Sequence, residues 1–234
     1  MDEMEKLLNE FRGEVTNATW SFFVWKEINN IASGDREIYQ SLNKNAVSWN
    51  MITHSLQSNF FITLGRLFDV DGDAFSIHAF LRSCIKNIDQ FSKESLRGRK
   101  LRESRGEYPD WLDEYIENAY TPTEDDFHRL RGETSKIHKQ YEDIYRPIRN
   151  KVIAHKEKAS LGNVEELFEK TNIGQIESFM FHLVQIQEIV FQLLYNGRLT
   201  QIGDHKFDEE EYVMSDVRAL MERIRPNQSV NRGR

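Results

Sequence analysis

Apolar residues recur every third or fourth position along most of this chain, the spacing that puts them on one face of a helix. Leu7, Phe11, Val15, Ala18, Phe22, Trp25 and Ile28 predict one long helix, or two joined near Gly13, closed by Ser33-Gly34. Asp35 then stands as an N-cap for a second long helix running to Phe68, with Leu42, Ala46, Trp49, Thr53, Leu56, Phe60, Leu64 and Leu67 along one side. Asp69 to Phe75 contains Asp71-Gly72 and reads as a turn. A shorter helix is expected from Ser76 to Asn87, and helical pieces from Ile88 to Tyr120 with breaks near Gly98 and at Gly106 to Pro109.

Pro122 and Thr123, with Asp126 three residues on, open a further long helix toward His155, which Pro147 should kink or split. A last core helix is expected from Val164 to Tyr195, carrying Leu167, Ile176, Phe179, Met180, Leu183, Val184, Val190, Phe191 and Leu194. Asn196-Gly197 stops it. Asp208 to Ile224 reads as an amphipathic helix, and the polar tail from Arg225 is expected to be disordered. No segment alternates over a strand length and no repeat has a fixed period. The expected fold is an all-α bundle, with the charged stretch of about 88–121 as an insertion. One domain over 1–200 is expected, followed by a C-terminal helix and polar tail over 201–234.

Composition agrees with a soluble helical protein. Hydrophobic residues make up 39% and aromatics 12%, enough for a substantial core, while 29% charged residues and a mean hydropathy of -0.64 suit an exposed surface. No run approaches the roughly 20 apolar residues of a membrane span, and the acidic start Met1-Asp2-Glu3-Met4-Glu5-Lys6 is unlike a signal peptide. A cytoplasmic protein without membrane contact is the expectation. Cys84 is the single cysteine, which excludes an intramolecular disulfide and a cysteine zinc cluster. The net charge of -7 argues against indiscriminate nucleic-acid binding but not against a local basic site. Charge is segregated: Lys93, Arg97, Arg99, Lys100, Arg102 and Arg105 precede the acidic run Glu107, Asp110, Asp113, Glu114, Glu117, Glu124, Asp125 and Asp126. Arg146, Arg149, Lys151, Lys156 and Lys158 form a second basic group.

Most chemical signatures fail. Asp69-Val70-Asp71-Gly72-Asp73 resembles the start of a calcium loop, but its glycine stands at position four instead of six and position twelve is Phe80. His155-Lys156-Glu157 lacks the Pro-Cys-x-x-Cys partner of a zinc deaminase. Metalloprotease, serine-hydrolase, phosphate-loop and dinucleotide motifs are absent, so no metal and no cofactor is expected. Cys84 reads as a small core residue, and His54, His128 and His138 as helix histidines without partners at metal-ligand spacing.

Tyr145-Arg146-Pro147-Ile148-Arg149-Asn150-Lys151-Val152-Ile153-Ala154-His155 is different. Ile148, Val152 and Ile153 can anchor it while Arg149, Asn150 and His155 present polar groups. In a helix, the step from Arg149 to His155 is a rise of about 9 Å with the side chains roughly 120° apart, so both can address one groove. A histidine titrates near neutral pH and can take the proton of a ribose 2′-OH or protonate a departing 5′ oxygen. Arg149 can clamp phosphate oxygens and stabilise the added charge of a transition state, and Asn150 can orient either partner. On spacing alone, solvated helix charges and a histidine that merely ends a helix are the commoner explanation.

Arg149-Asn150-x-x-x-x-His155 resembles the signature of the HEPN superfamily, the higher eukaryote and prokaryote nucleotide-binding domains. Ile148 to His155, together with Leu64-Gly65-Arg66-Leu67-Phe68-Asp69, is most similar to its abortive-infection AbiU-like branch, over roughly residues 10–200. The resemblance implies a helical bundle that pairs as a homodimer with two Arg-His motifs in a shared cleft. It implies a metal-independent endoribonuclease of phage defence or toxin-antitoxin systems, with RNA as substrate and an antitoxin or regulatory protein as a further partner. Arg149 and His155 are then the catalytic candidates and Asn150 their support; Arg146, Lys151 and Lys156 are candidates for holding RNA. Arg66 and Asp69 either reach the cleft or form a structural salt bridge. Glu157 stands where some family toxins carry a modifiable tyrosine, which argues against that mode of regulation. Two alternatives remain at this stage: a non-catalytic RNA-binding or protein-interaction scaffold of the same fold, and an unrelated helical protein with a chance motif.

Overall fold

The computed structural model describes residues 2–70, 75–105, 107–148, 171–205 and 209–225. Among these the chain is all-α, with no strand. In chain order the helices are α1 (Glu3–Gly34), α2 (Arg36–Asn43), α3 (Ala46–Leu67), α4 (Ile77–Lys86), α5 (Lys93–Glu103), α6 (Leu112–Asn118), α7 (Glu124–Ile148), α8 (Ile173–Phe191) and α9 (Glu209–Ile224). A short 3₁₀ turn (Ile88–Phe91) precedes α5 and a π-helical turn (Gln192–Asn196) follows α8.

Side-chain caps account for several of these boundaries. The Asp35 carboxylate accepts from the N–H groups of Glu37 and Ile38 and starts α2, as its position after Gly34 predicts. Ser76, Ser92 and Asn172 cap α4, α5 and α8 in the same way. Asp126 receives the Thr123 N–H and hydroxyl and the Tyr120 hydroxyl, closing the first turn of α7. At the other end of α8, Gly197 takes the left-handed conformation at φ 55°. Ala119 and Leu96 would lie only 2.7 Å and 2.8 Å from a Cβ there, so glycine is required twice over.

Several boundaries differ from the sequence pattern. Gly13 lies inside one continuous α1. The stretch from Asp35 to Phe68 is two helices, because the chain turns at Lys44-Asn45, where the two N–H groups return to the carbonyls of Ser41 and Leu42. Gly98 does not break α5; Leu96 and Arg99, both buried, hold the helix through it. The break at Gly106 to Pro109 does fall between α5 and α6. The last core helix begins at Ile173, set by the Asn172 cap, and not at Val164; residues 164–170 lie outside the described region. Pro147 sits inside the last turn of α7.

The chain forms two compact units. One comprises Met1–Val15 with Leu64–Lys206. Its core is aromatic: Phe11 stacks on Phe80 at 4.4 Å, and Phe91 meets Phe127 at 5.0 Å. Phe68, Tyr141, Tyr145 and Phe179 form a continuous ring cluster that fastens α7 to α8. Leu96, Leu112 and Ile116 join α5 to α6.

The second unit comprises Thr16–Thr63 and Phe207–Arg234. Ile28, Ile38, Leu42, Val217 and Met221 make its core, with Trp49 and Leu56 packed against them. Phe22 and Trp25 of α1 meet Phe60 of α3. Ion pairs from Arg218 to Glu27 at 2.6 Å and from Arg225 to Asp35 at 2.7 Å fix α9 in place.

Candidate functional site

The helix that leads into the Arg-His motif is well anchored. Tyr141 and Tyr145 lie on the buried side of α7, one turn apart, and both meet Phe179 of α8. The Tyr145 hydroxyl lies 3.0 Å from the Asn172 carbonyl and 3.1 Å from Gln175 Oε1, and it accepts the Asn172 N–H at 3.1 Å. Tyr145 therefore ties the end of α7 to the start of α8, the two points that flank residues 149–170. Arg149, Asn150, Lys151, His155 and Lys156, the centre of the expected site, lie outside the described residues.

The remaining candidates divide. Arg146, in the last turn of α7, binds Glu142 at 2.7 Å. Asp69, just beyond α3, lines a small concavity together with Gly65, Phe68, Tyr141, Glu142 and Arg146. Two candidates far apart in sequence, Asp69 and Arg146, are thus brought to one place, against the turn from which the motif departs. The concavity is about 10 Å³, room for one water at most. It supplies polar groups at the edge of a site and does not by itself form a nucleotide pocket. Arg66, one turn before, pairs with Glu14 of α1 at 2.7 Å.

Behind this concavity lies a histidine pair that the sequence reading passed over. His138 approaches Glu142 at 3.4 Å, and its ring meets that of His78 from α4 edge-on at 5.0 Å. Burial holds the His138 pKa below the usual range; Arg146 adds to that effect, while Glu142 and Asp69 oppose it. Burial, aided by His138, Arg131 and Arg82, pushes His78 down to about 4. Both rings are therefore neutral at pH 7. His138, Glu142 and Arg146 follow one another at four-residue spacing, one stripe of a helix. That spacing was the available signal. No group of histidine, cysteine, aspartate and glutamate suited to hold a metal occurs among the described residues.

Five of the six residues of the central basic block, Lys93, Arg97, Arg99, Lys100 and Arg102, are engaged internally. Arg99 is almost wholly buried and donates to the carbonyls of Leu194 and Gln90 and to Asp2. Arg102 pairs with Glu5, Arg97 with Asp113, and Lys100 with Glu103, while Lys93 donates to the Glu117 carbonyl. These residues stitch α5 to α1, α6 and the end of α8. Cys84 is buried, and burial raises its thiol pKa well above the usual range, in keeping with a core residue. No helix among the described residues is long and apolar enough to cross a membrane.

A chain that is all-α among its described residues and carries the string Arg149-Asn150-x4-His155 fits a class of helical domains, and comparison with known families specifies it. A family model of the AbiU2 HEPN domains matches residues 1–219, and the chain belongs to that family. Its fold is accordingly an all-α, HEPN-like bundle. No curated protein and no solved structure matches the chain.

Proposed function

We propose that this chain is a metal-independent endoribonuclease of HEPN type, acting as a homodimer in phage defence or as a toxin. Membership of the AbiU2 family together with the string Arg149-Asn150-x4-His155 carries the reading. In the proposed reaction the 2′-hydroxyl of the RNA loses its proton to a base and its oxygen attacks phosphorus. The bond from phosphorus to the 5′ oxygen breaks, and that oxygen takes a proton from an acid. A 2′,3′-cyclic phosphate and a 5′-hydroxyl result. His155 serves the proton transfers, and two copies in a dimer can divide the roles of base and acid. Arg149 holds the phosphate and stabilises its added charge, with Asn150 in support. Arg146, Lys151 and Lys156 contribute positive charge beside it, and the Asp69–Arg146 concavity borders the entry of the motif.

The test is incubation of purified protein with mixed cellular RNA in EDTA, beside Arg149→Ala and His155→Ala. Cleavage that survives chelation, leaves cyclic phosphate ends and disappears in both variants is expected. Equal cleavage by all three proteins refutes the site. Absence of cleavage by the wild type favours the same fold used as an RNA-binding or protein-interaction scaffold.

A further inference from the structure

Where α4 packs along α7, the seam between them holds polar groups that no described residue partners. His78 and Arg82 stand four residues apart on α4, and Arg131 and His138 seven apart on α7, so each pair shares one side of its helix. The rings of His78 and His138 meet across the seam at 5.0 Å. His78 is 8% exposed, and its Nε2, the Nε of Arg131 and the Nδ1 of His138 are shut off from solvent without a hydrogen-bond partner. Glu142 does not fill the gap. One of its oxygens lies 3.4 Å from the other nitrogen of His138, Nε2, and the second holds Arg146. Arg97, Arg99, Arg102, Arg129 and Arg146 of the same unit each pair with a carboxylate, whereas neither Arg82 nor Arg131 pairs with one among the described residues.

A buried donor left without an acceptor is destabilising, more so when it is charged. The Nε of a guanidinium donates in every state, and a histidine nitrogen does so once it carries hydrogen. What the seam lacks is therefore an acceptor. Charge narrows the choice. Arg82 and Arg131 both lie close enough to His78 to oppose its protonation; a water would accept a hydrogen bond but leave that positive field unbalanced. His78 also stands in the first turn of α4, where the helix dipole favours negative charge. Donors presented from two helices, including the forks of two arginines, match the several oxygens of a tetrahedral oxyanion.

We infer that the α4–α7 seam binds a phosphate group, held by Arg82 and Arg131 on its open side and by the ring of His78 within. Inorganic phosphate and a phosphodiester of RNA present the same chemistry; the second source rests on the ribonuclease reading above, and the first does not. The measurement reads binding and not cleavage, so its failure leaves that reading standing. Side-chain nitrogen NMR of the full chain follows the His78 ring, identified by its loss in His78→Gln, while inorganic phosphate replaces chloride at constant pH and ionic strength. A saturable shift is expected, with affinity at least about tenfold weaker in Arg131→Gln and in Arg82→Gln. Helical circular dichroism verifies the fold of each variant, and Arg82 is exposed, so its replacement leaves the core alone. A fully 2′-O-methylated oligoribonucleotide without terminal phosphate, which offers no 2′-hydroxyl for cleavage, forms the second arm. If it moves the same resonance with the same arginine dependence, the site takes phosphate within RNA; if inorganic phosphate alone does so, the ligand is the free anion. No saturable shift with either, or shifts that both glutamine variants retain at wild-type affinity, overturns the inference and leaves the seam to water.

Discussion

Lowering the pH from about 7.5 to about 5 asks His182 to take up a proton in a place built for its neutral form. His182 lies on α8, 6% exposed, with Nε2 3.1 Å from the Thr134 hydroxyl oxygen. That hydroxyl gives its proton to the Leu130 carbonyl at 2.9 Å, so Nε2 carries hydrogen and donates, and a second proton must enter on the other nitrogen. Burial is the main cause of a pKa depressed to about 4; His78 adds to it and Glu133 opposes it. An unfolded histidine titrates near 6.5. Between these values the unfolded chain binds more protons than the folded one, so stability rises with pH. The contribution is complete above pH about 6.5 and is lost as the pH falls toward 4. From about pH 7.5 to about pH 5 the loss through this residue is on the order of 2 kcal/mol. His182→Gln keeps a donor near Thr134 but cannot titrate. Denaturant unfolding of both proteins across this range cancels the carboxylates they share. Wild type should lose about 2 kcal/mol more than the variant on acidification, and parallel curves would refute the assignment.

Other perturbations test the frame around the site. Arg99→Met should cost about 3 kcal/mol in chemical denaturation, because the Leu194 and Gln90 carbonyls and Asp2 lose a shared buried donor; an unchanged midpoint would show that the stitch is dispensable. Gly197→Ala should destabilise by at least about 2 kcal/mol, since it adds a left-handed alanine to a collision with Ala119 and Leu96. Ser76→Ala should cost about 1 kcal/mol through the lost cap of α4, measured by the same unfolding.

Whatever is decided by neighbours in sequence was legible. Asp35 behind Gly34, Thr123 ahead of Asp126, and Gly197 behind Asn196 mark helix ends with groups that act within a turn, and each does so in the structure. The turn at Lys44-Asn45 was not, because the apolar stripe continues across it and neither glycine nor proline marks it. Gly98 misled in the opposite sense: a helix glycine costs about 1 kcal/mol, and the anchoring of Arg99 and Leu96 outweighs that. The fate of the basic block was beyond local reading. Arg99 finds its partners at Leu194 and Asp2, 95 and 97 residues away. At the site, the sequence supplied Asp69 and Arg146 as separate candidates, and only the packing of Phe68 on Tyr141 brings their surroundings together. His138 has no partner at metal-ligand spacing in the sequence; its stripe with Glu142 and Arg146 is an ion-pair spacing.

The bond between Tyr145 and Asn172 bears on how such a protein can change over generations. Because Tyr145 on α7 bonds to the Asn172 cap of α8, the two ends between which residues 149–170 run are held together by residues outside that stretch. The cost of joining two fixed points by flexible chain depends only weakly on its length, about 0.6 kcal/mol for a doubling. A change in the length of chain between these two residues therefore leaves the packing of α7 on α8 in place, provided the tyrosine hydroxyl and its asparagine stay where they are.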